Sequence, residues 1–142
     1  MSEQKSYRLT KRQSELAVRV TGNSQAELFA NSAYALFDVM TDNIDTIEIK
    51  EKMPLEVEGA DRDDLMINWM RELLYLYQGS GYLLKQFEIR EVKDTVVKAE
   101  VCGEKIDPDR HEIKQEIAAV AYQHGRMEKT GNQWIAQLVF EF

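Results

Sequence analysis

A single cysteine, two histidines and two prolines are all that 142 residues supply of those types. Cys102 alone can form neither an internal disulfide nor a thiolate metal cluster. It closes the alternating run V-V-K-A-E-V-C, where it reads as a small buried apolar residue and not as a nucleophile. His111 and His124 each stand beside turn signals and read as solvated loop residues. Nothing around them suggests the orienting group that a Ser–His or Cys–His pair requires. Only seven glycines accompany the two prolines, which leaves little room for linkers. No apolar run approaches the roughly 18 residues of a membrane span, and no basic-then-apolar leader opens the chain, so a cytoplasmic protein is expected. A glycine-rich phosphate loop, G-x-S-x-G, H-E-x-x-H and C-x-x-C are all missing. An enzyme built from this inventory would have to run on carboxylates, with a metal to help. The chain is therefore read as not an enzyme.

Positive charge is also short, with 18 Lys and Arg against 25 Asp and Glu and a net charge of −7. The densest basic cluster, Lys5, Arg8, Lys11 and Arg12, is modest. Repulsion from the remaining charge opposes a phosphate backbone, so direct nucleic-acid binding is not expected, and a protein partner fits better.

What is present is regular patterning over a length that suits one domain, residues 1–142. In the opening S-Y-R-L-T-K-R-Q-S-E-L-A-V-R-V-T-G, Leu16, Val18 and Val20 alternate with Ala17 and Arg19, as in a strand with one buried face. Ser24 followed by Glu27 forms a capping box. Beyond it Leu28, Phe29, Ala33, Leu36, Phe37 and Met40 recur at helical spacing, which predicts a helix over Ser24–Met40. Ile47, Ile49, Met53, Leu55 and Val57 alternate with charges, and Pro54 marks that strand as an edge or a bulge. Asp61 is a good N-cap for a second helix over Asp61–Tyr77, with Asp63 and Asp64 in its first turn and Gly79-Ser80-Gly81 as its stop. The three aspartates lack the glycine and later glutamate of a calcium loop, so capping accounts for them better. The remainder alternates with period two around Lys93-Asp94 and Thr130-Gly131-Asn132, interrupted by the polar loop G-E-K-I-D-P-D-R-H. Two helices among six or seven hairpin-linked strands give an α+β class, both helices on one face of a mainly antiparallel sheet.

Two glutamates stand at strand ends, Glu15 near the start and Glu141 next to Phe142. They read either as solvated surface charges or as two halves of one acidic site. With the Phe142 α-carboxylate beside them, three oxygen donors would suit a hard divalent cation such as Ca²⁺, Mg²⁺ or Mn²⁺.

Over almost its full length the chain resembles the archease family. The resemblance rests on G-N-S-Q-A-E-L-F-A-N-S-A-Y-A-L-F-D-V-M-T-D, on D-D-L-M-I-N-W-M-R-E-L-L-Y-L, and on G-E-K-I-D-P-D-R-H with I-A-A-V-A-Y-Q-H-G. It implies an α+β fold with an acidic, metal-associated site, and a role assisting an RtcB-type RNA ligase of tRNA splicing. The family's site is similar to a histidine-threonine-alanine-aspartate stretch at the first strand, a lysine before a later strand, and a penultimate aspartate. Here R-Q-S-E puts Arg12 in the histidine position and Glu15 in that of the metal-binding aspartate. Ala118 takes the lysine position, Ala121 the threonine and Gln123 the strand's histidine, while Glu141 replaces the penultimate aspartate and Phe142 keeps the apolar end. Each glutamate is one methylene longer than aspartate, which displaces its carboxylate by about an ångström. The expectations are thus an accessory protein with a cation at Glu15, Glu141 and Phe142, or a diverged interaction module without metal.

Overall fold

The computed structural model describes residues 6–122 and 125–142, so the readings on Lys5, Gln123 and His124 fall outside the described residues. The element order is β1 (Tyr7–Arg12), β2 (Glu15–Gly22), α1 (Gln25–Met40), a 3-10 turn (Ile44–Thr46), β3 (Glu51–Glu58), α2 (Arg62–Ser80), β4 (Tyr82–Val92), β5 (Val96–Lys105), β6 (Ala119–Val120), β7 (Arg126–Thr130) and β8 (Gln133–Glu141). Every strand pairing is antiparallel, as the short hairpin connections require. The α+β class holds. The strands divide between two sheets where a single one is expected: β1-β2-β8-β6 with β7 also on β8, and β3-β5-β4. Helix α1 carries the chain from the first sheet to the second and packs on both, against β2 and β4. Helix α2 packs against β3 of one sheet and β7 of the other. Pro54 lies in β3, an edge strand, where a missing N–H breaks no ladder.

Both helices start by the same device. At α1 the Ser24 side chain accepts from Glu27 N at 3.0 Å, and Glu27 Oε1 accepts from Asn23 N at 3.1 Å. At α2 Asp61 Oδ1 accepts from Asp64 N at 2.9 Å, and Asp64 Oδ2 accepts from Ala60 N at 2.7 Å. Each exchange satisfies two backbone donors that a helix start leaves orphaned. A glycine precedes each cap because the helix backbone crosses there. A Cβ would lie 2.7 Å from Leu28 N at Gly22 and 2.5 Å from Leu65 N at Gly59. The end of α2 is later than Tyr77. The helix runs through Gly79 and Ser80 to Gly81, whose φ of 73° is the left-handed cap, with its N–H on the Leu76 and Tyr77 carbonyls.

The helices meet where their apolar stripes predict. Trp69 is fully buried and donates its indole N–H to Phe29 O at 3.0 Å. Its ring stands edge-on to Phe29, centroids 5.9 Å apart at 70°. Leu36, Phe37 and Leu73 are buried in the same core. Cys102 is buried too, as its run suggests, but it lies opposite Lys52 and Gln86, outside that cluster. The opening segment is a hairpin of two strands, turning at Gln13 and Ser14. Gln13 takes a φ of 41°, a turn made without the usual glycine or asparagine.

Candidate functional site

The R-Q-S-E stretch is the tip of that first hairpin. Arg12 closes β1, Gln13 and Ser14 turn, and Glu15 opens β2. Across the first sheet Arg12 pairs with Glu15, Glu15 with Glu141 of β8, and Glu141 with Ala119 of β6. Leu16, Val18 and Val20 of β2 are buried, so Glu15, Ala17 and Arg19 lie on the opposite, outer face. Direct partners share a face, with Cβ atoms about 5 Å apart, so the two glutamates are close neighbours. Phe142 follows, its N–H donating to Ser14 O at 3.0 Å, which ties the end of β8 to the hairpin turn. Lys11 points to the other face, its ammonium 5.6 Å from the Phe142 ring centroid. The main chain around β6 completes the edge: Ala118 N donates to Glu141 O at 2.7 Å and Ala121 N to Val139 O at 2.9 Å.

The expected pair is therefore brought together, in the setting of an Arg–Glu–Glu row. Among the described residues no set of three or more His, Cys, Asp or Glu side chains converges as a metal cage. Two carboxylates supply a fraction of the roughly six to eight oxygens that Ca²⁺ takes, and water and main-chain oxygens would complete the shell. Such a donor set fits a hard cation weakly, and Arg12 beside Glu15 weakens it further by like-charge repulsion.

The aspartates at the start of α2 do structural work. Asp61 caps, and Asp63 Oδ1 accepts from Met127 N at 2.7 Å, which fastens β7 to the helix. Asp64 accepts from the Tyr122 hydroxyl as well as Ala60 N; the tyrosine bond and then the amide hold its carboxyl below the ordinary value.

His111 corrects the sequence reading. It is buried, as is Glu104, and the two are bonded through His111 Nε2 and Glu104 Oε2 at 3.1 Å. Asp107 N donates to His111 Nδ1 at 2.8 Å. A backbone N–H can only donate, so Nδ1 accepts and a neutral ring carries its proton on Nε2, aimed at Glu104. Glu104 also accepts from Glu48 N at 2.6 Å, from Lys50 Nζ at 3.4 Å and from the Arg110 guanidinium. Burial alone would raise this carboxyl, but the Arg110 hydrogen bond, the Glu48 amide and the Arg110 charge outweigh it and hold it at about 2. Both ring nitrogens of His111 and both carboxylate oxygens of Glu104 are thus engaged within the fold. The cluster is a clamp fastening the G-E-K-I-D-P-D-R-H loop to the segment before β3. Its sequence signal was slight, because the partners at Glu48 and Lys50 are distant in the chain.

With this geometry in view, comparison with known proteins decides the family. Residues 7–141 match the profile described as "Archease protein family (MTH1598/TM1083)". The chain belongs to the archease family. It is 38% identical over 129 residues to protein archease of Pyrococcus abyssi, covering 88% of this chain and 90% of that one. The solution structure of Methanobacterium thermoautotrophicum protein 1598 superposes with a TM-score of 0.82 at 26% identity, over 98% of this archease-family chain and all of the other. The Thermotoga maritima crystal structure, described as an archease and possible chaperone, shares the fold with a TM-score of 0.59 at 18% identity over 94% of each chain. The descriptions of the Pyrococcus and Thermotoga relatives name an archease and, in one case, a possible chaperone, and neither names an enzymatic activity. No helix among the described residues is long and apolar enough to cross a membrane.

Proposed function

We propose that this archease is a cytoplasmic activator of an RtcB-type RNA ligase in tRNA splicing or RNA repair, working through contact with the ligase and without turnover of its own. In this reading Glu15, Glu141 and a Phe142 main-chain oxygen hold a divalent cation, Ca²⁺, Mg²⁺ or Mn²⁺, weakly. The observation that supports it best is the register: the residues that the family resemblance assigns to the acidic pair, far apart in sequence, are direct partners on β2 and β8. The cation would partly neutralise that pair and stiffen the hairpin tip, leaving an outer sheet face for the ligase. The test is multiple-turnover RNA ligation by an RtcB-type ligase, with this chain, with its Glu15→Gln/Glu141→Gln variant, and with neither. A rise in turnover of about tenfold or more, largely lost in the variant, is expected. An unchanged ligase rate with the parent protein would refute the activator reading.

A second reading is a diverged interaction module that keeps the fold without metal or ligase role. It is favoured by Arg12 opposite Glu15 and by alanine at position 118, where the resemblance has a lysine. Ligation unaffected by the chain, together with a melting curve indifferent to all three cations, would select it.

A further inference from the structure

The outer face of the first sheet carries a second row that the acidic pair does not use. Arg8 of β1 lies opposite Arg19 of β2, Arg19 opposite Gln137 of β8, and Gln137 opposite Arg126 of β7. At about 4.8 Å per strand the row crosses four strands and spans about 14 Å. The next row toward the hairpin tip is Thr10–Ala17–Val139, all modest in size, and the one after it is Arg12–Glu15–Glu141. Low residues between taller rows leave a groove of about 620 Å³ running across the strands. One wall is Arg8, Arg19 and Arg126, the other holds Arg12 and Glu15, and Ala17 lies in the floor.

Two observations point to an anion from outside. Like charges directly opposite on an antiparallel pair are destabilising, and Arg8 with Arg19 is such a pair. Arg8, Arg12, Arg19 and Arg126 are all exposed, and none of them forms an ion pair with any described residue. The other sheet shows how the fold treats such a pair when it is self-sufficient. There Glu88 opposes Glu100, and Arg90 bridges both while Lys52 reaches Glu88 at 3.5 Å.

We propose that the groove is a docking surface for an extended acidic polypeptide segment of a protein partner, its carboxylates bound by the Arg8–Arg19–Arg126 row. Guanidinium groups bind carboxylates in bidentate geometry, and arginine suits such a surface better than lysine. A nucleic acid fits less well. Its phosphates recur at every nucleotide and would meet Glu15 on the far wall, with Glu141 directly beside it, and no described residue lining the groove is aromatic, so bases have nothing to stack on. An extended polypeptide sends alternate side chains to opposite sides, which allows acids toward one wall and uncharged or basic groups toward the other. The net charge of −7 does not prevent this. At physiological salt charges are felt over about 8 Å, so the local row sets the sign of the interaction. This inference goes beyond the activator reading and concerns the face itself, whichever protein supplies the segment.

Fluorescence anisotropy with a labelled peptide of alternating Glu and Ser tests it, alongside a Lys–Ser peptide and single-stranded oligouridylate of matched length. The parent should bind the Glu–Ser peptide in low salt, lose it as salt rises and ignore the Lys–Ser peptide. The Arg8→Gln/Arg19→Gln/Arg126→Gln variant should bind roughly tenfold more weakly or worse, whereas Lys98→Gln, a charge loss on the other sheet, should change binding less than twofold. The triple variant should melt no lower than the parent. Should it fail to fold, Arg126→Gln, which leaves the β1–β2 hairpin intact, carries the same expectation of weakened binding. Undiminished binding by the variants, or no peptide binding even in low salt, overturns the proposal. So does tighter binding of oligouridylate lost in the triple variant, which would make this a nucleic-acid face.

Discussion

The two sheets of this protein handle surface charge in opposite ways. On the three-stranded sheet the facing acids Glu88 and Glu100 are stitched together by Arg90 and Lys52, and the Arg90 hydrogen bond, then its charge, hold the Glu100 carboxyl below its ordinary value. That face is electrostatically closed. On the five-stranded sheet Arg8 faces Arg19 and Glu15 faces Glu141, and no described residue forms an ion pair with either arginine. Both sheets bury their inner faces on the same helices, so the difference does not come from the core. It lies in how each outer face is paired: facing like charges are bridged by opposite ones on the three-stranded sheet, and on the five-stranded sheet they are left for the proposed ligands to meet.

The comparison can be broken first at the core the sheets share. Trp69→Ala removes the fully buried ring that joins α2 to Phe29 of α1 and should cost about 3–5 kcal/mol in chemical denaturation. Because the helices bridge both sheets, unfolding should remain one transition by every probe; separate transitions for the sheets would show that they do not share a core.

Next comes the clamp. Glu104→Ala leaves the His111 Nε2–H and the Glu48 amide without an acceptor and should cost about 2–4 kcal/mol. The folded carboxyl is held at about 2 against an ordinary value of 4.5, a depressed pKa. Its contribution is therefore complete above pH 4.5 and is lost as pH falls from there through about 2. Urea titrations across that window should show the parent losing stability more steeply than the variant; parallel curves would mean that Glu104 is not held so low.

The acidic pair gives a smaller effect. A divalent cation at tenfold its dissociation constant stabilises by about 1.4 kcal/mol through mass action. Thermal melts in Ca²⁺, Mg²⁺ or Mn²⁺ should rise by the corresponding few degrees, and Glu15→Gln with Glu141→Gln should abolish the rise. Without metal the same variant should be no less stable than the parent, since like charges are relieved. A melting curve unmoved by all three ions would leave the pair without a cation.

Much of this arrangement was legible in the sequence because its causes are local. The capping pairs Ser24/Glu27 and Asp61/Asp64 and the apolar stripes around Phe29 and Trp69 located both helices, and the strand-end positions of Glu15 and Glu141, with the family resemblance, located the pair. The unread parts are those assembled from distant segments or made by unusual residues. The Gln13–Ser14 turn carries no glycine, so β1 and β2 read as one strand. Polar residues in G-E-K-I-D-P-D-R-H resemble a solvated loop until Glu48 and Lys50 of another segment close over Glu104 and His111. The basic cluster near the start is divided by the pleat, which sends Lys11 to the other face, and is extended by Arg19 and Arg126 from strands that only the fold makes neighbours.

The most direct measurement on the contrast between the sheets is the melting temperature, at low salt, of two single variants with the same charge change. Arg90→Gln removes the bridge between Glu88 and Glu100 and should lower it. Arg19→Gln relieves Arg8 and should leave it unchanged or raise it, and both shifts should shrink as salt is added. If Arg19→Gln lowers the melting temperature as far as Arg90→Gln does, Arg19 has its counter-charge within the fold, and the five-stranded face is as self-sufficient as the other.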